Sequence, residues 1–123
     1  MSLRPHKLII TVLICVLCFL AWRYLDSKSQ KTWFYFIQKQ CAITQDMIDH
    51  PSDGFVPTGL AHRLEFLMGY YEAHSKSLQG SPFESVAKRD YQQTLTNALA
   101  LFRRQTTNDL GSDPRAWIEK YGP

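Results

Sequence analysis

Leu8–Trp22 reads LIITVLICVLCFLAW, and Thr11 is the one conventional polar residue within it. Continued to Leu25, the segment holds 18 residues. At about 1.5 Å per residue it spans ~27 Å, just short of a hydrocarbon layer of about 30 Å. Backbone groups left unpaired in lipid are costly, and a helix pairs them internally, so a membrane-spanning helix is expected over 8–25. Trp22 and Tyr24 suit the headgroup level, where Arg23 can snorkel.

A cleaved leader is the competing reading, since Arg4, His6 and Lys7 form a basic region ahead of the apolar run. Its cleavage site is missing. Cutting after Ala21 puts Phe19 where a small residue belongs, and Ile14 and Leu17, not small residues, precede Cys15 and Cys18. A retained single-pass anchor is therefore preferred. The basic tail, residues 1–7, favours the cytoplasm, which sends the C-terminal domain across an inner cell membrane. Arg23, Lys28 and Lys31 on the far side weaken that asymmetry.

Roughly 90 residues lie beyond the anchor, enough for one small domain with a thin core. From Tyr24 onward 11 Lys/Arg face 11 Asp/Glu, so the excess charge belongs to the anchor. Nucleic-acid binding needs basic residues clustered on the folded domain. The tight pair Arg103-Arg104 reads instead as a helix end. Cys15 and Cys18 behave as small hydrophobes within the run, which leaves Cys41 alone, read as a buried thiol in preference to an intermolecular disulfide.

Asp26–Lys31 (DSKSQK) reads as a polar juxtamembrane linker, and residues 32–123 as a small helical domain. Trp33, Phe36, Ile37, Cys41, Thr44, Met47 and Ile48 recur at three and four, the spacing of a helix that ends at the breaker-rich His50-Pro51-Ser52-Asp53-Gly54. A second helix carries Leu60, Leu64, Leu67, Tyr71, His74 and Leu78 on one narrow stripe. Pro57 and Thr58 start it, and Gly80 closes it in the left-handed conformation. Ser81-Pro82-Phe83-Glu84 reads as a capping box opening a third helix. On that helix Phe83, Val86, Ala87, Tyr91, Leu95, Ala98, Leu99, Leu101 and Phe102 spread over a wide arc, so it should be covered on more than one side.

A connection as short as Gly80-Ser81 makes the second and third helices an antiparallel αα-hairpin. The expected fold is all-α: one transmembrane helix, then a three-helix bundle built on that hairpin. A short C-terminal clasp completes it, capped by Asp113 and Pro114 and folding Trp117, Ile118 and Tyr121 back onto the bundle.

The hairpin followed by Asn108-Asp109-Leu110-Gly111-Ser112-Asp113-Pro114, with Trp117 beyond, resembles the closing unit of bacterial HEAT-like repeat proteins over residues 57–121. Leu110 stands where those proteins carry an aromatic, and the chain holds a single such unit. The resemblance implies a protein-binding scaffold without enzymatic chemistry.

No nucleophile in the sequence has an identifiable base partner, and HExxH, GxSxG, Walker and Rossmann patterns are absent from it. No catalytic residue, metal ligand, cofactor or small-molecule substrate is assigned. Asp46, Asp49, His50 and Asp53 form the one local acid/base or ion-binding group; their spacing fits no calcium loop, and they read as a helix end. His74 falls on the apolar stripe as a packing residue, and His62 faces solvent. Aromatic groups are more numerous than a thin core hides, and exposed aromatics anchor protein partners at modest entropic cost. Trp33, Phe34, Tyr35 and Tyr70 are the candidate partner-binding residues. The expected function is a membrane-anchored accessory or scaffold protein with the lipid bilayer and another envelope protein as partners. A toxin- or holin-like protein acting through its anchor, and a helical protein secreted after cleavage, are the alternatives.

Overall fold

The computed structural model describes residues 4–51 and 55–122. Its elements are α1 (Pro5–Asp49), α2 (Pro57–His74), a 3₁₀ turn (Ser75–Leu78), α3 (Glu84–Thr106) and α4 (Pro114–Tyr121); no strand occurs among the described residues.

The helix α1 is 45 residues long, about 67 Å at the standard rise. Its length follows from where the breakers stand. Pro5 occupies the first helical turn, and neither proline nor glycine recurs before Pro51. The expected linker over 26–31 is itself helical. Within and beside it, Gln30 Nε2 reaches Asp26 Oδ2 at 3.5 Å and Thr32 Oγ1 donates to the Lys28 carbonyl at 3.0 Å. A polar segment without a breaker carries on the helix entering it, because adding a residue to an existing helix is far easier than starting one. One stretch of α1 is long and apolar enough to cross a membrane, and none of that stretch is buried by the rest of the chain.

Beyond the apolar stretch, Ile37, Cys41, Thr44 and Ile48 line the buried face of α1. They meet α2 on one flank and α3 on the other. Of the expected stripe, Leu60, Leu64, Leu67 and Leu78 are buried and Tyr71 and His74 half-buried, while Ala61, outside the stripe, is buried as well. Gly80 has φ +77°, as a left-handed closing residue requires.

The start of α3 differs from expectation. The helix begins at Glu84, because the Ser81 hydroxyl donates to the Leu78 carbonyl at 2.6 Å and so completes the preceding turn. The reciprocal bonds of the box survive in displaced form: Phe83 N–H donates to Ser81 Oγ at 3.3 Å, and Gly80 N–H to Glu84 Oε2 at 2.8 Å. Arg103 and Arg104 occupy the last turn of α3, where cations favour the helix dipole.

Two apolar clusters form the core. The one nearer the apolar end of α1 holds Ile37, Cys41, Leu67, Leu78, Ala87 and Tyr91. The distal one joins Ile48, Leu60, Leu64, Ala98, Phe102 and Trp117. Helix α4 closes the distal cluster. Asp113 Oδ1 accepts from Arg115 N–H at 3.0 Å, and Trp117, fully buried, stacks on Phe102 at 5.1 Å between centroids. Trp117 Nε1 donates to the Gly111 carbonyl at 3.0 Å, an acceptor shared with Arg103 Nη2 at 2.8 Å. Asp109 Oδ1 in turn accepts from Arg103 and from Gly111 N–H.

Candidate protein-docking surface

Successive residues of a helix turn by about 100°, so the four aromatics Trp33–Phe36 cannot share one face. Trp33 points along the α2 flank of α1 and stacks on His74, centroids 4.1 Å apart and planes within 10°. Phe34 points the other way and stacks on Phe83 at 4.8 Å. Tyr35 and Phe36 remain largely outside the core, exposed at 60% and 39%.

On α2, Phe66, Tyr70 and His74 recur every four residues and form a second row. Tyr70 lies 4.5 Å from His74 and 6.0 Å from Phe66. Trp33 meets Phe36 edge-on at 6.2 Å, and Phe36 meets Tyr35 at 5.6 Å. The two rows therefore join across the α1–α2 seam into one ladder, Tyr35, Phe36, Trp33, His74, Tyr70, Phe66, whose Tyr35 end turns off the seam onto the outer face of α1. Its last ring is covered by the Arg63 guanidinium, 5.1 Å above the Phe66 centroid.

Arg63 is what pins the distal end of the ladder. Its Nε donates to Thr44 Oγ1 at 3.0 Å, and Nη2 donates to both the backbone and the side-chain carbonyl of Gln40. Thr44, fully buried, donates its own hydroxyl to the Gln40 backbone carbonyl at 2.9 Å. Burial draws the Arg63 guanidinium below its ordinary value while the nearby Cys41 opposes the shift; arginine stays charged all the same. A cation stacked on an aromatic face is favoured by the ring quadrupole.

The opposite flank of α1 is polar. Gln38 Nε2 donates to Asp90, and Gln45 Oε1 accepts from Asn97 Nδ2 at 3.0 Å, which registers α1 against α3. Beyond the ladder toward the distal end, Ile43, Met47 and Val56 stay exposed and line a cleft of about 390 Å³ with Phe55 and Leu60. Among the described residues beyond the apolar stretch, the exposed Phe36, Ile43, Met47 and Phe66 lie along the α1–α2 side of the domain, with Tyr35 on the outer face of α1.

Of the four aromatic residues expected to bind a partner, the ladder gathers Trp33, Tyr35 and Tyr70; Phe34 belongs to the α1–α3 packing. Sequence reasoning overlooked Phe66 and Arg63. The spacing of Phe66, Tyr70 and His74 at four was the available signal, with Arg63 three residues before the first ring.

Among the local acidic group, Asp46 pairs with His50 at 3.3 Å on the exposed end of α1, and Asp49 accepts from Gln45 at 2.8 Å. Asp53, like Ser52 and Gly54, lies outside the described residues. Among the described residues no three His, Cys, Asp or Glu side chains come together in a way that could hold a metal ion. His62 is exposed, and His74 is a half-buried ring in the stack. Cys41 is 5% exposed and burial raises its thiol above the ordinary value, with Asp90 adding to the shift and Thr94 and Arg63 opposing it.

The chain matches no protein-family model, no curated protein and no solved structure.

Proposed function

We propose that this chain is a single-pass membrane protein whose helical domain docks another envelope protein through the aromatic ladder on the α1–α2 seam. The observation that carries the reading is the ladder itself: six rings in sequence, joined across two helices and left partly open to solvent. Contiguous exposed apolar surface is uncommon on a protein that works alone, and rigid aromatic side chains are the residues binding interfaces favour. Height supports a protein partner over lipid. Trp33 to Phe36 stand roughly 12–17 Å along α1 from Leu25, beyond a headgroup layer about 5–7 Å deep.

In this reading the anchor, residues 8–25, is a tether and the domain a non-enzymatic accessory or scaffold subunit on the non-cytoplasmic side. The resemblance of residues 57–121 to the closing unit of HEAT-like repeat proteins agrees with a scaffold role.

Site-specific photo-cross-linking in intact cells tests the proposal. A photoreactive residue at Tyr35 or Phe66 should give one discrete adduct, and the same residue at Gln92, exposed on α3, should give none. The Phe66→Asp change should remove the Tyr35 adduct at unchanged abundance. Equal cross-linking at all three positions, or at none, refutes docking at the seam.

A further inference from the structure

Because α1 has no break between its apolar stretch and the domain, it works as a ruler that fixes how far the domain stands from the bilayer. Helix α2 runs back toward the apolar end, and the connection between α2 and α3 forms the face of the domain turned to that end. This is shown by His74 lying on Trp33 and Phe83 on Phe34, whereas Asp90 meets Gln38 and Asn97 meets Gln45 farther along. Every described residue from Arg4 to Ser29 is exposed, and Gln30 is the first that is not. The underside of the connection therefore begins between Gln30 and Trp33, roughly 8–12 Å from Leu25 at the helical rise.

The anchor is itself short for the layer, at about 27 Å against about 30 Å, so mismatch draws the flanking residues inward and disfavours tilt. Both effects lower an upright domain onto the headgroups. The groups that arrive there are mostly basic. Lys28 and Lys31 on the stalk and Lys76 on the 3₁₀ turn are all exposed. Asp26 and Glu84 stand there too as carboxylates, Glu84 accepting from Gly80 N–H at 2.8 Å and Asp26 from Gln30 Nε2 at 3.5 Å, so three lysines against two carboxylates leave the underside at a net +1.

We propose that the underside of the α2–α3 connection rests on the membrane surface, with Lys76, Lys28 and Lys31 contacting anionic lipid headgroups. This rests on the reading of α1 as a membrane anchor. It assigns the bilayer a second role, as the support that keeps the domain upright and turns the aromatic ladder sideways toward neighbouring proteins.

Fluorescence quenching on the full chain in lipid vesicles tests it. In a Cys15→Ser, Cys18→Ser background, one fluorophore goes on Ser77→Cys at the underside and, in a separate sample, on Gln105→Cys near the distal end of α3. A third sample carries it on the native Cys15 with Cys18→Ser, inside the anchor. Nitroxides on lipid headgroups should quench the label at 77 about twofold more than the label at 105 when the vesicles contain an anionic phospholipid. The excess at 77 should shrink in purely zwitterionic vesicles and in the Lys31→Glu, Lys76→Glu variant, although the ruler geometry of α1 still holds 77 nearer the bilayer than 105. Equal quenching at 77 and 105 in anionic vesicles overturns the contact, and strong quenching at 77 that ignores lipid charge overturns the lysine assignment. Acyl-chain nitroxides keep the two levels of inference apart. A label at 15 quenched by acyl-chain nitroxides with a label at 77 spared by headgroup nitroxides rejects only this proposal, and a label at 15 that acyl-chain nitroxides leave unquenched rejects the membrane anchor itself.

Discussion

Truncating Trp117 to alanine should remove most of the stability of the domain. The indole is fully buried, stacks on Phe102 at 5.1 Å, lies 6.3 Å from Tyr121 and donates to the Gly111 carbonyl at 3.0 Å. Losing a buried aromatic costs about 3–5 kcal/mol through lost transfer energy and the cavity left behind. A domain of roughly 90 residues has about 5–13 kcal/mol in total, so the change consumes a large share of it. At about 4–8 °C per kcal/mol for a domain of this size, the midpoint should fall by about 12–40 °C. Trp117→Phe separates packing from hydrogen bonding. The ring remains and Gly111 still accepts from Arg103, so the expected loss is only about 1–2 kcal/mol. Thermal unfolding of the full chain in a mild detergent, followed by the loss of helical circular dichroism, measures both variants against the unaltered protein. A midpoint for Trp117→Ala within a few degrees of the parent would show that α4 is an appendage, and the clasp argument would fail.

Alkaline stability should depend on Tyr91, whose phenol is pushed up to about 12 by burial first, then by Glu72, Tyr71 and Cys41. Its folded value lies above the unfolded one of about 10, so the folded state holds the proton longer; the stabilisation is complete below pH ~10 and is lost as pH rises toward ~12, by roughly 2–3 kcal/mol. Tyr91→Phe keeps the ring that stacks on Tyr71 at 4.0 Å and should flatten that loss in denaturant titrations across this range; an unchanged slope counts against the assignment. Arg63→Ala should cost about 1–3 kcal/mol, because the Gln40 and Thr44 oxygens lose their charged donor, and urea midpoints would register it. Cys41 should resist a maleimide in the folded domain and react promptly once urea unfolds it. Equal rates in both states would contradict its burial.

The parts of the fold that were legible from sequence are those where one residue type admits one conformation or one environment. The stripe from Leu60 to Leu78 had a single apolar side, and Gly80 stood where a left-handed residue was needed. Asp113-Pro114 ahead of Trp117 similarly marked the start of α4. What escaped were local choices that residue type leaves open and features that depend on two segments meeting. DSKSQK was read as a linker from its polarity, but polarity does not stop a helix; only Pro51 does. The start of α3 moved to Glu84 because the Ser81 hydroxyl had a nearer acceptor in Leu78. Phe34 and Tyr35 are adjacent in sequence and equal in chemistry, yet one packs on Phe83 and the other faces solvent, a choice made by where α3 lies. Arg63 carries no local signal of its role, because its partners Thr44 and Gln40 lie 19 and 23 residues away along the chain.

The unbroken α1 also bears on how the domain folds. Beginning a helix is the unfavourable step, since several residues must be ordered before the first bond repays them. If the apolar stretch is an anchor, as proposed, lipid makes it helical first, and the segment from Trp33 to Asp49 then lengthens an existing ladder and bypasses that step. It can then offer Ile37, Cys41 and Ile48 as a preformed template to the hairpin emerging behind it. On the proposed reading, insertion into the bilayer is then the first event in folding of the rest of the chain, and a chain stripped of residues 8–25 must find its first helix unaided.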